Sequence, residues 1–508
     1  MDHYTNQSTE KEQLLYIKFY KTIKKSLEEL TFLHLAIIVA VFSFLYVLPI
    51  ILTNTFYIDD MNRTVFGYDW DRDARFISSK IMHLLSFQKD IVYSGYPFSN
   101  IFSSFLLAFS GFLLCYSIGI RHKAFLFIGS LLLLTCPFLL EILWYKFDSL
   151  PISLSLFFAV FPFVFYNKPI KFGIVSAFSL FLIFGLYQTT AFSYSIILTF
   201  FSIKHIWKKE YKAFIMNGLI GVISFVISFV CHSQLVKILE IQIIDEQRSE
   251  FIFNQPNFSF LLKERFEGFK ILFYALYTSS YKFLIGFLLV FVCVGIISLL
   301  IKTKLTLERC IQLIIIVGLV FFAILLAIGI NLFVMDFRWE PRAMIGYAFL
   351  FYATLFTIYY IPKYKSIIAF IAFTPIVYYS FLISSQTGVF IKNQEEFSDF
   401  VINQISTEVM KYDHLKLVIN GEIKNAERNR TVNYDVLPIT IKLAPKYENY
   451  SWYWGRVRMN KFGIFSEEFV DQKEREEVLS SYESLPLIQS NSIYELRIKE
   501  PYAVVKFK

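Results

Sequence analysis

Apolar segments of about 20 residues recur along the chain, and they constrain its fold more strongly than any other feature of the sequence. A helix of that length spans the hydrocarbon core of a bilayer. Hydrophobic residues make up 56% of the 508 residues, a share that would leave a soluble protein with too much apolar surface. The sequence therefore predicts an all-α protein that crosses a membrane many times. We expect about eleven spans, over residues 32–53, 99–118, 123–140, 150–166, 170–187, 190–204, 213–232, 282–301, 310–334, 343–361 and 366–384.

Lysine and arginine residues gather in every second loop between the predicted spans. The first span is preceded by Lys18, Lys21, Lys24 and Lys25. The other basic loops cover residues 121–123, 167–171, 204–212, 302–309 and 362–365. Because basic residues stay on the cytoplasmic side of a membrane, the pattern predicts a cytoplasmic N-terminus and an external C-terminus. The formal net charge of +8 fits this topology, and we expect no nucleic-acid partner because no basic module stands apart from the spans.

Three regions follow from this pattern. Residues 1–30 have helical periodicity with a lysine face, which predicts a cytoplasmic amphipathic segment at the membrane surface. Residues 31–390 hold the predicted spans. Residues 391–508 are rich in charge and lack a long apolar run, so we expect a small α+β domain on the periplasmic side. Within it, LKLVING at 415–421 and YELRIKE at 494–500 alternate like β-strands.

The stretch FYIDDMNRTVFGYDWDRDARF, residues 56–76, concentrates carboxylates where the chain leaves the first predicted span. If the segment is extended, the neighbours Asp59 and Asp60 point to opposite sides. Asp69, Asp71 and Asp73 follow. DxD patterns bind Mg²⁺ or Mn²⁺ in many transferases that use nucleotide sugars, but such sugars are cytoplasmic and this loop is predicted to face outward. We therefore expect no metal or other cofactor, and a divalent cation remains an alternative.

The predicted spans carry almost no ionisable side chains, whereas the outward loops are rich in them. A proton- or ion-coupled transporter usually buries charges near the middle of the bilayer, where they are costly and functional. Charges at the outer rim, above apolar walls, instead favour an enzyme whose substrate has a lipid tail and a polar head. The five cysteines lie in or beside apolar segments without paired spacing, which predicts neither a disulfide framework nor a zinc site.

Transfer of a sugar from a polyprenyl phosphate requires a base for the acceptor hydroxyl and cations for the leaving phosphate. The outward loops supply both kinds of side chain. Our candidate catalytic residues are Asp59 and Asp60, one of which would be the base, and Asp148, which would position a sugar. Our candidates for binding the phosphate and the rest of the substrate are Arg63, Arg75, Tyr187, Gln188, Arg338 and Arg342.

Four ordered motifs carry a resemblance to a known family. They are YIDDMNR with the following GYDWDRDAR, PFLLEILWYKFDSLPISLSL, GLYQTT, and EPRAMIG, and each lies on a loop predicted to face outward. Together they resemble the GtrII-type glucosyltransferases, the serotype-converting membrane enzymes that modify bacterial O-antigen. The similarity covers about residues 50–400 in the right order. The motif GYDWDRDAR is more acidic than the Gly-rich stretch that members usually show.

The resemblance implies a GT-C-like fold in a bacterial inner membrane, with the active site facing the periplasm. It implies undecaprenyl phosphate-linked glucose, or a related hexose, as donor, and O-antigen or another surface polysaccharide as acceptor. A flippase and a cytoplasmic glycosyltransferase that charges the lipid would be functional partners. The catalytic carboxylate of such enzymes lies in the first outer loop, which places it at Asp59 or Asp60.

Two other classes of function stay open. A flippase or transporter for a lipid-linked sugar or polysaccharide would need a hydrophilic path across the bilayer, which the charge-poor spans disfavour. A non-catalytic receptor or assembly factor would depend on the C-terminal domain and would tolerate loss of the outer-loop aspartates.

Overall fold

The computed structural model describes residues 31–242, 250–301, 303, 306–329, 332–335, 339–361, 364–412, 414–429, 436–449, 453–462, 470 and 472–508. The predicted amphipathic segment at 1–30 and the candidate residue Arg338 lie outside these described residues.

The described chain is mainly helical, as predicted. Up to the C-terminal domain, its α-helices are α1 (Phe32–Thr53), α2 (Asp59–Phe66), α3 (Phe76–Ser86), α4 (Phe98–Ser117), α5 (Lys123–Leu134), α6 (Leu140–Trp144), α7 (Ser149–Val160), α8 (Pro169–Leu186), α9 (Ala191–Trp207), α10 (Tyr211–Ile238), α11 (Phe258–Tyr277), α12 (Tyr281–Ile301), α13 (Leu307–Ile328), α14 (Tyr347–Tyr359) and α15 (Lys365–Val409). Short 3₁₀ helices join some of them, including Asp71–Asp73, Phe161–Phe165, Gln188–Thr190 and Pro341–Met344.

Each predicted span overlaps one of these helices, although the helices at Lys123–Leu134 and Leu307–Ile328 end earlier than predicted. Among the described residues, eight helical stretches are long and apolar enough to cross a membrane: α1, α4, α8, α10, α12, α13, α15, and Pro341–Tyr359, which includes α14. Three further predicted spans fall on shorter helices, at Lys123–Leu134, Ser149–Phe165 and Ala191–Trp207. The chain is therefore a membrane protein with several apolar spans. The loops predicted to face outward, which we call the outer loops, are partly helical too, because α2, α3 and α11 lie in them.

Small residues allow α4 and α5 to pack closely. A Cβ atom on Gly111 of α4 would lie 2.3 Å from the carbonyl oxygen of Gly129 on α5 and 2.5 Å from Tyr352 Oη. The Tyr352 hydroxyl itself donates to that Gly129 carbonyl oxygen at 2.6 Å. In a bilayer, such close backbone approach replaces the hydrophobic effect as a source of helix association. The contact joins α4, α5 and α14 at one point beneath the outer loops.

Helix α15 connects the membrane spans to the C-terminal domain. At 1.5 Å per residue its 45 residues extend about 68 Å, more than twice the thickness of a hydrocarbon core. Its second half therefore projects beyond the bilayer, and the boundary predicted at residue 391 falls inside this continuous helix. The projecting half contributes Val401, Ile402 and Ile405 to the core of the C-terminal domain.

A four-stranded sheet forms the rest of that domain. The strands are β1 (Lys416–Asn420), β2 (Leu487–Ser490), β3 (Tyr494–Lys499) and β4 (Tyr502–Phe507), in the order β1-β4-β3-β2. Strand β1 pairs in parallel with β4, and the other pairs are antiparallel. The helices of the described part of the domain are α16 (Ile439–Leu443), α17 (Tyr453–Asn460) and α18 (Gln472–Ser480). The strands predicted at 415–421 and 494–500 are confirmed as β1 and β3.

One segment of the C-terminal domain packs outside that domain's own hydrophobic core. Leu437, Ile439, Leu443, Ala444 and Tyr447 are buried in the same hydrophobic cluster as the membrane helices, whereas the sheet packs against the end of α15 in a separate cluster. We name residues 437–449 the docking segment. It joins the C-terminal domain to the hydrophobic core of the membrane helices.

The Gly111 contact gives a test of the packing. We expect Gly111→Ala to lower stability by about 1–3 kcal/mol, because the added methyl group overpacks a backbone contact. Gly318→Ala in α13 is the matched control, since no atom lies within 4 Å of a Cβ at that position. Thermal unfolding of the detergent-solubilised protein measures both variants. Equal melting temperatures for Gly111→Ala and wild type would contradict the packing of α4 on α5.

Candidate active site

Asp60 is fully buried and joins two outer loops. Its carboxylate accepts hydrogen bonds from the backbone N–H groups of Lys146 at 2.8 Å, Phe147 at 3.3 Å and Tyr57 at 3.3 Å. Burial raises the pKa of Asp60 to about 7, while the N–H groups of Lys146 and Phe147 act in the opposite direction. The side chain holds the loop that follows α6 against the start of α2, so its acceptor sites face the protein.

Asp59 has a different environment although it is the adjacent residue. The segment is not extended here, because Asp59 and Asp60 form the first turn of α2, where carboxylates are favoured by the helix dipole. The Asp59 side chain is half-buried, and among the described residues no donor forms a hydrogen bond to it. Burial raises the pKa of Asp59, and the positive charges of Arg342 and Arg63 oppose that rise.

Asp148 and Arg63 form a buried ion pair. Arg63 Nη1 lies 2.6 Å from Asp148 Oδ2, and the other carboxylate oxygen accepts from Trp70 Nε1 at 2.6 Å. The guanidinium also lies 4.1 Å from the centre of the Trp70 ring, and its Nε donates to the Tyr68 carbonyl oxygen at 3.2 Å. Although Asp148 precedes α7, its side chain does not cap that helix. Both side chains are therefore buried and held by contacts within the protein.

Arg75, Tyr187 and Gln188 meet on one side of the outer loops. Arg75 Nε donates to Gln188 Oε1 at 3.3 Å, and its guanidinium lies 4.7 Å from the centre of the Tyr187 ring. Gln188 Nε2 donates to the carbonyl oxygen of Asp73 at 3.1 Å. The structure thus joins the first outer loop to the turn between α8 and α9, and Arg75 remains half-buried.

Arg342 is held beside Asp59 by two carboxylates. Its backbone N–H donates to Glu141 Oε2 at 2.7 Å, its Nη1 lies 3.7 Å from Glu141 Oε1, and it forms an ion pair with Glu340. The guanidinium also lies 4.8 Å from the centre of the Tyr145 ring. Burial raises the pKa of Glu141, and the charge and N–H of Arg342 oppose that rise.

Glu141 and Lys146 are site residues that our sequence analysis did not select. Glu141 is 1% exposed and fixes the orientation of Arg342. Lys146 Nζ donates to Asn54 Oδ1 at 2.8 Å and lies 4.3 Å from the ring centres of Phe56 and Tyr96. Burial lowers the pKa of Lys146. The signal for both was available, because the motif PFLLEILWYKFDSLPISLSL has only three charged residues, Glu141, Lys146 and the selected Asp148.

The aspartates of the acidic motif do not converge. Asp69 lies 3.3 Å from His83, and its Oδ1 accepts the backbone N–H of Asp71 at 3.1 Å. Within the described ranges, no group of three or more His, Cys, Asp or Glu side chains is arranged to hold a metal ion.

Two openings border the link between α1 and α2. A groove of about 730 Å³ runs between α1 and α15. Its lining is mostly apolar, with Phe42 and Phe381 among the lining residues and the exposed Lys392 on its wall. A second, more polar cavity of about 430 Å³ lies between Tyr57, Trp339 and the docking segment. Asp59 follows directly after this link.

These observations define a multi-span membrane protein with a cluster of carboxylates and arginines where its outer loops meet. A model of the family described as glucosyl transferase GtrII matches residues 48–353, and the chain belongs to this family. The matched region contains every site residue that we selected from the sequence. The resemblance to the GtrII-type enzymes is confirmed, and the chain is a membrane glycosyltransferase.

A protein of Salmonella phage P22 is similar over nearly the whole chain. It is 23% identical over 492 residues, which cover 94% of this chain and 97% of the phage protein. It is described as an uncharacterized 55.3 kDa protein in the gtrB 5′ region. No solved structure matches the chain.

The two adjacent aspartates give a paired test of the geometry. We expect Asp60→Asn to lower the free energy of unfolding by about 1–3 kcal/mol, because the new NH₂ group faces buried N–H donors. Asp59→Asn is the matched variant and should change stability by less than about 0.5 kcal/mol, since it loses no hydrogen bond within the described protein. Thermal unfolding in detergent measures both. Equal losses would contradict the distinction between the two side chains.

Proposed function

We propose that the chain transfers glucose, or a related hexose, from undecaprenyl phosphate to O-antigen or another surface polysaccharide. The reaction takes place on the periplasmic side of a bacterial inner membrane. Membership of the GtrII family supports the reaction class and the type of acceptor. The observation that carries the assignment of the site is the half-buried Asp59 carboxylate beside Arg342, at the outer end of the apolar helices.

Asp59 is the general base in this proposal. It takes the proton of the acceptor hydroxyl while the hydroxyl oxygen bonds to the anomeric carbon of the donor sugar. The bond between that carbon and the phosphate oxygen breaks, and the polyprenyl phosphate leaves with the electron pair. Because the hydroxyl attacks from the face opposite the phosphate, the anomeric centre is inverted. Burial raises the pKa of Asp59, and a base with a raised pKa accepts a proton more readily. Asp60 is less suited to this role because three backbone N–H groups occupy its carboxylate.

Arg342 and Arg75 are the cations best placed to stabilise the leaving phosphate. Both guanidinium groups are partly accessible, and each lies against an aromatic ring that fixes its position. Positive groups that are already oriented stabilise charge that develops in the transition state. Arg63 instead neutralises Asp148 in a sealed pair, so we assign both of these residues to positioning.

The groove between α1 and α15 suits the lipid part of the donor. Its wall is mostly apolar, and both helices that form it are long enough to span a membrane. Lys392 offers a cation to a phosphate group, and Thr53 marks the end of α1, six residues before Asp59. The cavity lined by Tyr57 and the docking segment, which is more polar than the groove, suits a sugar of the acceptor, because Trp339 and Asn449 line it.

The base and the cations come from side chains in this mechanism, which assigns no step to a resident cofactor. A flippase and a cytoplasmic glycosyltransferase that charges the lipid would deliver the donor to the outer face. A flippase or transporter is the second candidate function.

We expect Asp59→Asn to reduce hexose transfer by about 100-fold or more, because a positioned general base contributes that much. The assay is mass analysis of surface polysaccharide from cells that express the chain with the two partner activities. Wild type should add one hexose per repeat unit. Asp90→Asn is the control, since Asp90 is an exposed aspartate in the same outer loop.

Full transfer by Asp59→Asn would contradict the assigned base. No transfer by wild type, in cells shown to contain the charged lipid and the acceptor, would contradict the reaction. A vesicle assay with labelled lipid-linked sugar would then measure movement across the bilayer, which is the activity of the transporter alternative.

The pH dependence should reveal the link between Arg342 and Asp59. Activity requires the ionised Asp59, so it is lost as the pH falls through the pKa of this carboxyl group. Arg342 lowers that pKa, and Arg342→Gln should therefore move the acidic limb of the kcat profile to higher pH. Arg72→Gln is the control because Arg72 is exposed in the same outer loop. An acidic limb that stays at the wild-type pH would argue against Asp59 as the titrating base.

A further inference from the structure

Ile58, the residue before Asp59, has a backbone conformation that β-branched residues avoid. Its φ is 45° and its ψ is −108°. The Asp60 N–H donates to the Tyr57 carbonyl oxygen at 3.0 Å, so residues 57–60 form a β-turn with Ile58 at its second position. These angles are close to those of a type II′ turn, in which glycine dominates that position because it lacks a Cβ atom. An isoleucine keeps such a conformation only when its surroundings enforce it.

A tyrosine of the C-terminal domain contacts this turn. Tyr447 Oη accepts the backbone N–H of Ile58 at 3.2 Å and donates to the carbonyl oxygen of Phe56 at 3.3 Å. Next to it, the Tyr57 hydroxyl donates to the carbonyl oxygen of Leu443 at 2.9 Å. The backbone that enters the turn, at Phe56 and Ile58, is therefore bonded to the docking segment, almost 390 residues away in sequence.

The docking segment is itself firmly anchored. The buried Glu448 accepts a hydrogen bond from Ser398 of α15 at 3.1 Å, and Arg458 Nη1 lies 3.5 Å from its other oxygen. The Glu448 carbonyl oxygen accepts the N–H of Ile423 at 2.9 Å. Helix α17 also approaches closely, because a Cβ on Gly455 would lie 2.3 Å from the carbonyl oxygen of Tyr447. Tyr447 is thus fixed from several directions while its hydroxyl meets the turn.

We infer that Tyr447 is a positioning residue that holds Ile58 in this conformation and so sets the direction of Asp59. The inference rests on the proposed function, in which Asp59 is the base. Without the Tyr447 hydroxyl, the strained turn loses the two bonds that fix the backbone leading into Ile58. Asp60 stays bonded to the loop after α6, so relaxation of the turn moves Asp59 relative to Arg342. The docking segment lies outside the region matched by the family model, and the C-terminal domain becomes part of the active site.

Tyr447→Phe tests this directly, because it removes one hydroxyl group and keeps the ring. We expect kcat to fall by about 10- to 100-fold, the size of effect that a small misplacement of a catalytic group produces, with little change in KM for the donor. The control is Tyr482→Phe, which removes a tyrosine hydroxyl that bonds Glu495 on β3. A kcat for Tyr447→Phe equal to that of the control would overturn the inference.

Ile58→Gly provides the rescue. Glycine adopts the turn conformation without help, so the double variant Tyr447→Phe with Ile58→Gly should recover most of the lost kcat. A purely structural role for Tyr447 predicts no such recovery. A double variant no more active than Tyr447→Phe, with Ile58→Gly alone fully active, would show that strain at Ile58 is not what Tyr447 controls.

Hydrogen–deuterium exchange separates this inference from the proposed function, because it needs no substrate. Amide groups of residues 56–63 should exchange faster in Tyr447→Phe than in wild type, and should be unchanged in Tyr482→Phe. Faster exchange together with an inactive wild type would contradict the proposed reaction and leave the positioning contact standing. Unchanged exchange in an active enzyme would overturn the positioning contact alone.

Discussion

The arrangement of the candidate active site depends on one buried carboxylate. Asp60 accepts hydrogen bonds from the backbone N–H groups of Lys146, Phe147 and Tyr57, and all four residues are buried. An unpaired buried N–H group is costly, so these bonds fix the loop after α6 against α2. Once that loop is fixed, Asp148 faces Arg63 and Lys146 reaches Asn54. Asp59 is left on the adjacent helical position with its carboxylate available.

Arg342 and Arg63 oppose the rise in the pKa of Asp59, and each of these arginines is itself held in an ion pair. Arg63 is neutralised by Asp148, and Arg342 is held by Glu141 and Glu340. A buried ion pair is weak evidence for stability, because desolvation offsets most of the attraction. Its value here is geometric, since each arginine is oriented before a substrate arrives. Groups oriented in advance need no reorganisation when charge develops during the reaction.

Sequence periodicity was sufficient to predict the helical architecture, because each apolar span is encoded in a continuous stretch of the sequence. The strands β1 and β3 were predicted from alternation for the same reason. The motifs also indicated which residue types meet, and Arg75 does meet Gln188. They could not distinguish Asp59 from Asp60, because that difference comes from N–H groups of a loop about 86 residues away.

The contact between Tyr447 and Ile58 was equally hidden from the sequence. Nothing in the local pattern marks Ile58 as strained, because YIDD has no glycine and reads as an ordinary strand or helix start. The conformation is imposed by a segment 389 residues away. Such a contact depends on how the C-terminal domain that follows α15 packs against the outer loops. Sequence periodicity reports local structure and does not predict this packing.

The link between α1 and α2 separates two environments that the proposed reaction needs. The groove between α1 and α15 is mostly apolar and lies between spanning helices, whereas the cavity beside the docking segment is lined by polar side chains such as Glu340, Lys446 and Asn449. In the proposed reaction, a donor with a lipid tail approaches from the bilayer and a glycan approaches from the aqueous side. Neither substrate then crosses the hydrocarbon core, so the chemistry requires no charged path through the spans. Thr53 lines the groove and Tyr57 lines the cavity, Asp59 follows the link directly in the chain, and the turn before Asp59 is bonded to the docking segment.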